Sequence, residues 1–348
     1  MAIGLVERPD PADVPIRVRG EVDKVGPVVA RGFLSVLKNV GTTPITKGSG
    51  RLELAQWLTT PNNPLTARVY VNRVWSKLLG KGIVPTVDNF GILGEPASHP
   101  ELLDHLSLKF VGQRWSTKKL IREIVLSHVY AESDEADPKL ASVDKENKYF
   151  WHWNSKRLEA EVLRDAVLSI GGGLDLDRPN GTPLVELGTR ELGPTADYSV
   201  VNKPYRFRSV YLPFLRGRAP EMLAVFDAPD PGLTVGIRDV TSGPDQALYL
   251  LNSPLALDEA QHFAKRLIDA PVSGVNERID LAFQLALGQL PTPAQRESAV
   301  KFLSDIEGVH QSKNDPNGTP LTSDEIRLRT WSSFSQALFA LPQFRYLF

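Results

Sequence analysis

A guanidinium and an amide interrupt an otherwise apolar segment, NPLTARVYVNRVW, at residues 63–75. If the segment is helical, Arg68, Asn72 and Trp75 share one face. A buried guanidinium needs a carboxylate partner. Asp88, in PTVDNFG, can return to this helix because the intervening turn, GKG, is short. We therefore predict an Arg68–Asp88 ion pair, with Asn72 bonding carbonyls of the loop.

The same face allows a second interpretation, a ligand-binding cleft. Arg68 could hold a carboxylate or sulfate through two parallel hydrogen bonds, and Trp75 could stack on a sugar ring. Asn72 would line the same cleft, and Arg73 lies on the flank of this face. We favour the structural network, because buried polar groups are usually paired within the protein.

Three ionisable residues follow in SHPELLDHLSLKF, namely His99, Asp104 and His105. Ser98 and Glu101 have the spacing of a capping box, which predicts a helix with His99 at its start. His99 and Asp104 are five residues apart and do not stack on one helical face. A metal site would need a third ligand at a fitting position, and none is evident. We predict a structural role for His99.

Two carboxylates, Glu161 and Asp165, lie four residues apart in the helical pattern KRLEAEVLRDAVLSI. Arg157 and Arg164 are spaced to pair with Glu161 along the same helix, which usually gives a salt-bridged surface. The alternative is an acid–base pair. Glycosidase chemistry requires carboxyl groups roughly 5 to 10 Å apart, usually from different elements, so we favour the ion pairs.

A nearby segment, DLDRPNGTPLVE, resembles a calcium-binding loop, with Asp175, Asp177 and, at the twelfth position, Glu186. Pro179 stands at the fifth position, where such a loop needs an oxygen ligand, and the glycine comes one place late. The segment therefore predicts a turn after a helix.

Further polar residues surround short helices in FDAPDP and IRDVTSGPDQALYLLN, and they could form a second structural network or bind sugar hydroxyls. They are Asp227, Asp230, Arg238, Asp239, Gln246 and Asn252. The full set of candidate binding or network residues is Arg68, Asn72, Arg73, Trp75, Asp88, His99, Arg238, Gln246 and Asn252, with Glu161 and Asp165 as candidate carboxylates and no metal ligand.

The elements that must position these side chains are mostly helices. From Arg51 onward, apolar residues recur at helical spacing, and in the second half they predict helices over 219–227, 244–252, 255–270, 276–288, 293–306 and 323–341. VPIRVRGEV and VGPVVARGFLSVL predict a short hairpin, and YRFRSVYLP predicts a strand. We expect a mainly α, multi-helix globular domain with one or two small β-hairpins.

The domain organisation follows from the same pattern. Residues 1–48 form an N-terminal segment with short strands, the tail of an upstream region, and residues 49–348 form the helical domain. The turn-rich stretch 174–218 is a candidate boundary between two subdomains. The first residues, MAIGLVERPDPADVP, do not have the pattern of a signal peptide.

Composition excludes several classes of protein. Lys plus Arg number 40 and Asp plus Glu 41, so the chain lacks the basic excess of a nucleic-acid binder. With no cysteine, it cannot form zinc–thiolate sites, iron–sulfur clusters, disulfides or covalently attached c-type haem. No apolar run is long enough for a transmembrane helix. We expect no nucleic-acid partner and no transmembrane segment.

Five motifs in this order resemble a known family. They are RLELAQWLTTPNNPLTARVYVNRVW, GKGIVPTVDNFGILGEPASHPELLDHL, KRLEAEVLRDAVLSI, RSVYLPFLRGRAPEMLAVFDAPDP and QALYLLNSPL. The family is domain of unknown function 1553, found at the C-terminus of planctomycete proteins that carry a cytochrome c domain. The resemblance covers residues from about 25 to 348. After Tyr130, relatives tend to have RQSS where this chain has AESD.

The resemblance implies a larger, exported parent protein in a periplasmic setting, with upstream domains as partners. Haem is then expected only in an upstream cytochrome domain, and no cofactor in this chain. Genes of the family often lie near sulfatases and polysaccharide-degrading functions, which hints at glycan metabolism. The family has no established catalytic residues to carry over.

Three functions remain open on this basis. We favour an accessory domain of an exported, cytochrome-linked protein that binds a glycan or packs against its sister domains. The alternative is an enzyme that acts on polysaccharide fragments through a carboxylate/Arg cleft. A pure interaction scaffold would expose a large apolar patch. Whether the chain is an enzyme is left undecided by these residues.

Overall fold

A computed structural model of the chain describes residues 6–7, 9–40, 45, 48–187, 198–215, 217–314 and 319–347. These residues form two compact units, residues 1–154 and residues 155–348. The expected mainly α fold is confirmed, since the described residues contain twelve α-helices and only two small antiparallel sheets. None of the helices within the described ranges is both long and apolar enough to cross a lipid bilayer.

In the first unit, the part of the chain that the structure describes forms a hairpin followed by five α-helices. Strands β1 and β2 are antiparallel, with Val14 opposite Val29 and Arg17 opposite Val25, as the alternating pattern predicted. The elements are β1 (Val14–Arg17), β2 (Val25–Val29), α1 (Arg51–Thr59), α2 (Thr66–Leu79), α3 (Pro100–Gly112), α4 (Thr117–Val125) and α5 (Pro138–Val143).

Helix α2 is the centre of this unit's core. Oδ1 of Asn63 accepts hydrogen bonds from the backbone N–H groups of Leu65 and Thr66, which satisfies donors at the start of the helix. Gly80 ends it in a left-handed conformation with φ 83°. Val71 is completely buried against α3 and α4. Burial of one face of α2 therefore fixes where its polar residues lie.

The described residues of the second unit form seven α-helices and a pair of two-residue strands. Strands β3 and β4 pair near the two ends of the unit, Lys156 opposite Leu347, a pairing that the sequence pattern did not predict. The elements are β3 (Lys156–Arg157), α6 (Ala160–Gly171), α7 (Glu221–Val225), α8 (Pro244–Asn252), α9 (Pro254–Asp269), α10 (Val275–Leu287), α11 (Pro293–Gln311), α12 (Ser323–Ala340) and β4 (Tyr346–Leu347).

Helix α9 lies at the centre of this unit. Phe263, Ala264 and Leu267 on its buried face are inaccessible to solvent. Phe263 stacks on Phe339 of α12, with ring centroids 6.1 Å apart. Burying this apolar stripe is the main stabilising contribution to the unit, and α9 also packs against α6 and α8.

The segment 205–213 does not form the predicted strand. Residues Ser209–Tyr211 form a 3-10 turn, and Phe207 makes an isolated bridge with Asp175. The backbone carbonyls here bond to an arginine of α6 instead of a neighbouring strand, as described below. The described parts of the turn-rich stretch 174–218 lie within the second unit.

Candidate functional site

The predicted Arg68–Asp88 ion pair is wrong. Nε of Arg68 donates to Oδ1 of Asp104 at 2.6 Å, while Asp88 pairs with Arg73 at 3.3 Å. The Arg68 side chain is 37% exposed, because this side of α2 faces the outer edge of α3 and not the core. Its hydrogen bond lowers the pKa of Asp104. Neither arginine is a buried charge.

Asn72 does bond the backbone of the loop, as predicted. It is fully buried, its Nδ2 donates to the carbonyl of Val84 at 2.9 Å, and its Oδ1 accepts from the N–H of Val84 at 2.8 Å. A Cβ on Gly82 would overlap the Val84 carbonyl. The amide therefore replaces a missing backbone partner, which is a structural use of a buried polar group.

Trp75 and His99 line a separate cavity of about 320 Å³ in the first unit. Trp75 is 4% exposed and meets Phe150 edge to face, and the His99 ring contacts Tyr149. The walls are mainly apolar, and Arg68 and Asn72 do not line this cavity. The structure thus does not assemble the alternative Arg68–Asn72–Trp75 cleft.

The predicted capping box at the start of α3 is also wrong. Helix α3 starts at Pro100, and its N-cap residue is His99, which makes no side-chain capping bond. The hydroxyl of Ser98 instead donates to the carbonyl of Ile83 at 3.2 Å and lies 3.0 Å from Nδ1 of His99. Ser98 therefore ties the loop to α3, and His99 sits at the junction.

The carboxylates of α6 do not form the predicted pairs, although Oδ1 of Asp165 lies 3.6 Å from Nη1 of the adjacent Arg164. Glu161 receives two hydrogen bonds from Arg238, at 2.6 and 3.1 Å. Asp165 accepts from the backbone N–H and the hydroxyl of Ser209, at 2.8 and 2.7 Å. Arg157 pairs with Asp227 at 3.0 Å. The predicted pairing of Arg157 and Arg164 with Glu161 is therefore wrong, because Arg157 and Glu161 pair with distant loops and Arg164 and Asp165 both bond to Ser209.

The second predicted polar network forms around Asp227. This residue has a left-handed backbone (φ 64°), and its carboxylate accepts from both the N–H and the hydroxyl of Thr241. Gln246 is fully buried and donates to the carbonyl of Val225 at 3.1 Å. Asn252 lies apart from this network, since it is exposed and bonds only to the carbonyl of Leu248 in its own helix.

The calcium-like segment is a turn, as expected. The N–H of Asp177 donates to Oδ1 of Asp175 at 2.9 Å, so the Asp175 carboxylate accepts a backbone hydrogen bond within the turn. The side chain of Glu186 lies outside the described residues.

A cavity of about 520 Å³ in the second unit brings together charged groups that the sequence analysis did not select. We call it the Glu259 cavity. Helices α6, α8 and α9 and the segments 201–206 and 220–222 enclose it. Its lining residues are Arg164, Leu168, Val201, Asn202, Lys203, Pro204, Tyr205, Arg206, Leu212, Pro220, Glu221, Met222, Tyr249, Pro254, Leu255, Asp258 and Glu259.

Glu259 is the most buried acid of this cavity, with 1% of its surface exposed. Its Oε1 lies 2.9 Å from Nη1 of Arg206, and its Oε2 is buried with no hydrogen-bond partner. Burial raises the pKa of Glu259, and the Arg206 and His262 charges oppose that rise. A buried carboxylate with one unsatisfied oxygen is costly and uncommon.

Arg164 builds one wall of the cavity. It is buried, and its guanidinium donates to the carbonyl of Phe207 at 3.1 Å, to the carbonyl of Tyr205 and to the hydroxyl of Ser209 at 3.1 Å. These bonds replace a strand ladder for the segment 205–209. Tyr249 faces the same cavity, and its pKa is raised by burial and then by the charge of Glu221.

Three consecutive glycines after α6 leave room for the Glu259–Arg206 pair. Gly172 ends the helix in a left-handed conformation with φ 84°, which glycine adopts without strain. Its neighbours have a different role. A Cβ on Gly171 would overlap Oε2 of Glu259, and a Cβ on Gly173 would overlap Nη1 of Arg206. The triple glycine is therefore a helix stop and also a close approach to a charged pair.

Two sequence signals could have identified Glu259. The buried stripe of α9 runs through Ala256, Ala260, Phe263 and Leu267, and Glu259 falls within it by helical spacing. A carboxylate in an apolar stripe is the same kind of anomaly as Asn72 in α2. The spacing Glu259-x-x-His262 is the second signal, because it places a carboxylate and an imidazole on one helical face.

Comparison with known families gave one match. The model of the family described as PSD1, protein of unknown function (DUF1553), matches residues 50–303. Comparison with the curated proteins and with the solved structures gave no match.

Proposed function

The chain belongs to the PSD1 family of proteins of unknown function (DUF1553), and we propose that its second unit binds a saccharide fragment in the Glu259 cavity. One observation carries the proposal. An almost fully buried carboxylate with an unsatisfied oxygen lines a cavity of about 520 Å³. Small-molecule sites typically enclose about 300–1,000 Å³ and combine apolar walls with a few convergent polar groups.

The chemistry of the lining suits a polyhydroxylated ligand. Sugar hydroxyls both donate and accept hydrogen bonds, and this cavity offers carboxylates (Asp258 and Glu259), cations (Lys203 and Arg206) and the amide of Asn202. The rings of Tyr205 and Tyr249 line the same space and provide apolar faces for the C–H side of a sugar ring. The two carboxylates would repel a purely anionic ligand, whereas sugar hydroxyls can donate to the carboxylates and accept from the cations.

The first unit supports this function less well. Its cavity is mainly apolar, Arg68 bonds to Asp104, and Asn72 bonds to the backbone of Val84. The buried Nε1 of Trp75 has no partner, but this cavity holds no buried charged group beside it. In the second unit Glu161, Asp165 and Arg238 are bonded within the protein. Gln246 donates to the carbonyl of Val225, whereas its buried Oε1 has no partner but does not line the Glu259 cavity.

Isothermal titration calorimetry with oligosaccharides tests the proposal. A neutral, a uronic-acid and a sulfated tetrasaccharide should be titrated separately into the protein. We expect at least one to bind, and Glu259→Gln to weaken it about tenfold or more, which corresponds to about 1.4 kcal/mol. Glu297→Gln, an exposed glutamate of α11, is the matched control and should bind as wild type. No heat with any of the three sugars, or equal weakening by both variants, would overturn the proposal.

A second function, acid–base catalysis on polysaccharide fragments, is favoured by the environment of Glu259. A general acid must keep its proton near working pH, and burial raises the pKa of this carboxyl while its neighbour Asp258 is exposed. The assay is release of reducing ends from the sugars that bind. Catalysis requires Glu259→Gln to abolish release with no loss of melting temperature, and a parallel loss of both would indicate a structural role.

We also propose an exported, periplasmic setting with upstream domains of the same polypeptide as partners and haem held only by an upstream cytochrome domain. The five sequence motifs quoted above support this setting. Cell fractionation of the source organism, with an antibody to this chain and a haem stain of the same band, is the test. A haem-free band in the cytoplasmic fraction would contradict it.

A further inference from the structure

Three metal-ligand side chains converge at the edge of the buried face of α9, beside the Glu259 cavity: Glu259 is buried, and Asp258 and His262 are exposed. Nδ1 of His262 lies 3.6 Å from Oδ2 of Asp258 and 3.8 Å from Oε1 of Glu259. One ligand atom from each residue falls within 4.8 Å of the others. The Glu-x-x-His spacing is the one with which helices of bundle proteins present a carboxylate and an imidazole to the same metal ion.

The condition of Glu259 is a second and separate observation. It is 1% exposed, yet its Oε2 has no hydrogen-bond partner. A single guanidinium contact on Oε1 therefore leaves half of a desolvated carboxylate unsatisfied. A divalent cation bound through both oxygens would satisfy it, because carboxylates coordinate metals in mono- and bidentate modes. Gly171 and Gly173 keep space around this carboxylate and its partner that side chains would fill.

Arg206 is the group that such an ion must replace. Its guanidinium lies 2.9 Å from Oε1 of Glu259 and 3.2 Å from Oδ2 of Asp258, so it contacts the same oxygens that a metal would use. Its side chain is 41% exposed and comes from a segment outside the helices. Arg206 can therefore leave the carboxylates for solvent without disturbing a packed helix face.

We propose that Asp258, Glu259 and His262 bind a divalent first-row transition-metal ion, such as Zn²⁺, in exchange for the Arg206 guanidinium. The mixed nitrogen and oxygen ligands favour zinc, manganese or iron over Mg²⁺ and Ca²⁺, which prefer all-oxygen sites. Three protein ligands would leave at least one position open, as in catalytic zinc sites. This inference does not rest on sugar binding, because metal uptake is measured without a sugar.

Calorimetric titration of the chelator-treated full chain with ZnCl₂, and metal analysis after dialysis, test the site. We expect one zinc per chain and no heat with MgCl₂. His262→Ala should weaken zinc binding at least tenfold, because it removes one of the three ligands. The His262 side chain is about half exposed, so its removal should not disturb the core. His105→Ala, an exposed histidine in the first unit, is the matched control and should bind zinc normally. No zinc uptake, or uptake unchanged in His262→Ala, would overturn the inference.

The exchange with Arg206 has its own test. Arg206→Gln removes the competing cation, so zinc affinity should rise several-fold although the variant loses an ion pair. Unchanged or weaker zinc binding in a variant that still folds, judged by circular dichroism, would contradict the exchange. Sugar binding measured in the presence of a chelator separates the two proposals. If zinc is not taken up but chelator-treated protein binds sugar, only the metal site is contradicted. If zinc is taken up but no sugar binds, only the sugar proposal is contradicted.

Discussion

Two buried polar groups, Asn72 in the first unit and Glu259 in the second, interrupt apolar helix faces in the same way but end in opposite states. Asn72 makes two hydrogen bonds to the backbone of Val84, so its amide is satisfied on both sides. Glu259 has one partner, Arg206, and one oxygen with none. The difference teaches that burial alone does not indicate function, and both proposals rest instead on a buried charged group that keeps an unsatisfied oxygen beside a cavity.

The largest effect is expected from removing the satisfied group. Asn72→Leu leaves the buried N–H and C=O of Val84 without partners, and each unsatisfied group costs about 1–3 kcal/mol. We expect a loss of about 3 kcal/mol in the free energy of unfolding, measured by urea denaturation. Asn252→Leu is the matched control, because that amide is exposed and bonds only within α8. A similar loss in both variants would remove the distinction between the two asparagines.

A somewhat smaller loss should follow at the loop that Asn72 holds. Gly82→Ala places a methyl group against the carbonyl of Val84, and relief of such an overlap requires a backbone shift that typically costs about 1–3 kcal/mol. Gly112→Ala, near the end of α3 with nothing around its added methyl, should be neutral or slightly stabilising. The same urea titrations measure both. A stable Gly82→Ala protein would mean that the loop can relax away from Asn72.

The pH dependence of the stability that Glu259 contributes should have the opposite sign to that of Asp104. The pKa of Glu259 is raised above 4.5 by burial, so the folded protein holds this proton more tightly than the unfolded chain does. Stability contributed by this group is therefore present at low pH and lost as pH rises from about 4.5 through the folded pKa. The pKa of Asp104 is lowered from 3.8 by Arg68, so its contribution is present above that value and is lost as pH falls.

Melting temperatures recorded across this pH range test the contrast. Glu259→Gln should flatten the decline above pH 4.5, and Asp104→Asn should flatten the acidic decline below 3.8. A wild-type profile that Glu259→Gln leaves unchanged would show that burial does not control this carboxyl.

Sequence periodicity predicted the helices well because most of them bury one continuous apolar stripe. Helices α8, α9, α10 and α12 lie within one residue of their predicted bounds, and Thr292 and Gln295 form a capping box at the start of α11. The partners of charged side chains were harder to predict. Glu161 and Arg238 are 77 residues apart, and so long a separation leaves no local spacing signal.

The segment 205–213 shows a second reason for error. Its alternating aromatic and charged residues fit a strand, but Arg164 of α6 bonds the carbonyls that a neighbouring strand would have used. A tertiary hydrogen bond from a buried arginine thus overrides local β propensity. This segment also carries Tyr205 and Arg206, so the same contact forms one wall of the Glu259 cavity. Sequence periodicity does not encode that contact, and the cavity could therefore not be predicted from it.

The smallest effect is expected at the arginine that first suggested a site. Arg68→Ala removes an ion pair with Asp104 whose two side chains are both more than one third exposed. Exposed ion pairs contribute about 0–1 kcal/mol, because solvent and salt screen them. We expect a stability loss below about 1 kcal/mol and unchanged sugar and zinc binding, measured by urea denaturation and calorimetry. A marked loss of either ligand in Arg68→Ala would return the functional site to α2, since no contact of Arg68 described above reaches the Glu259 cavity.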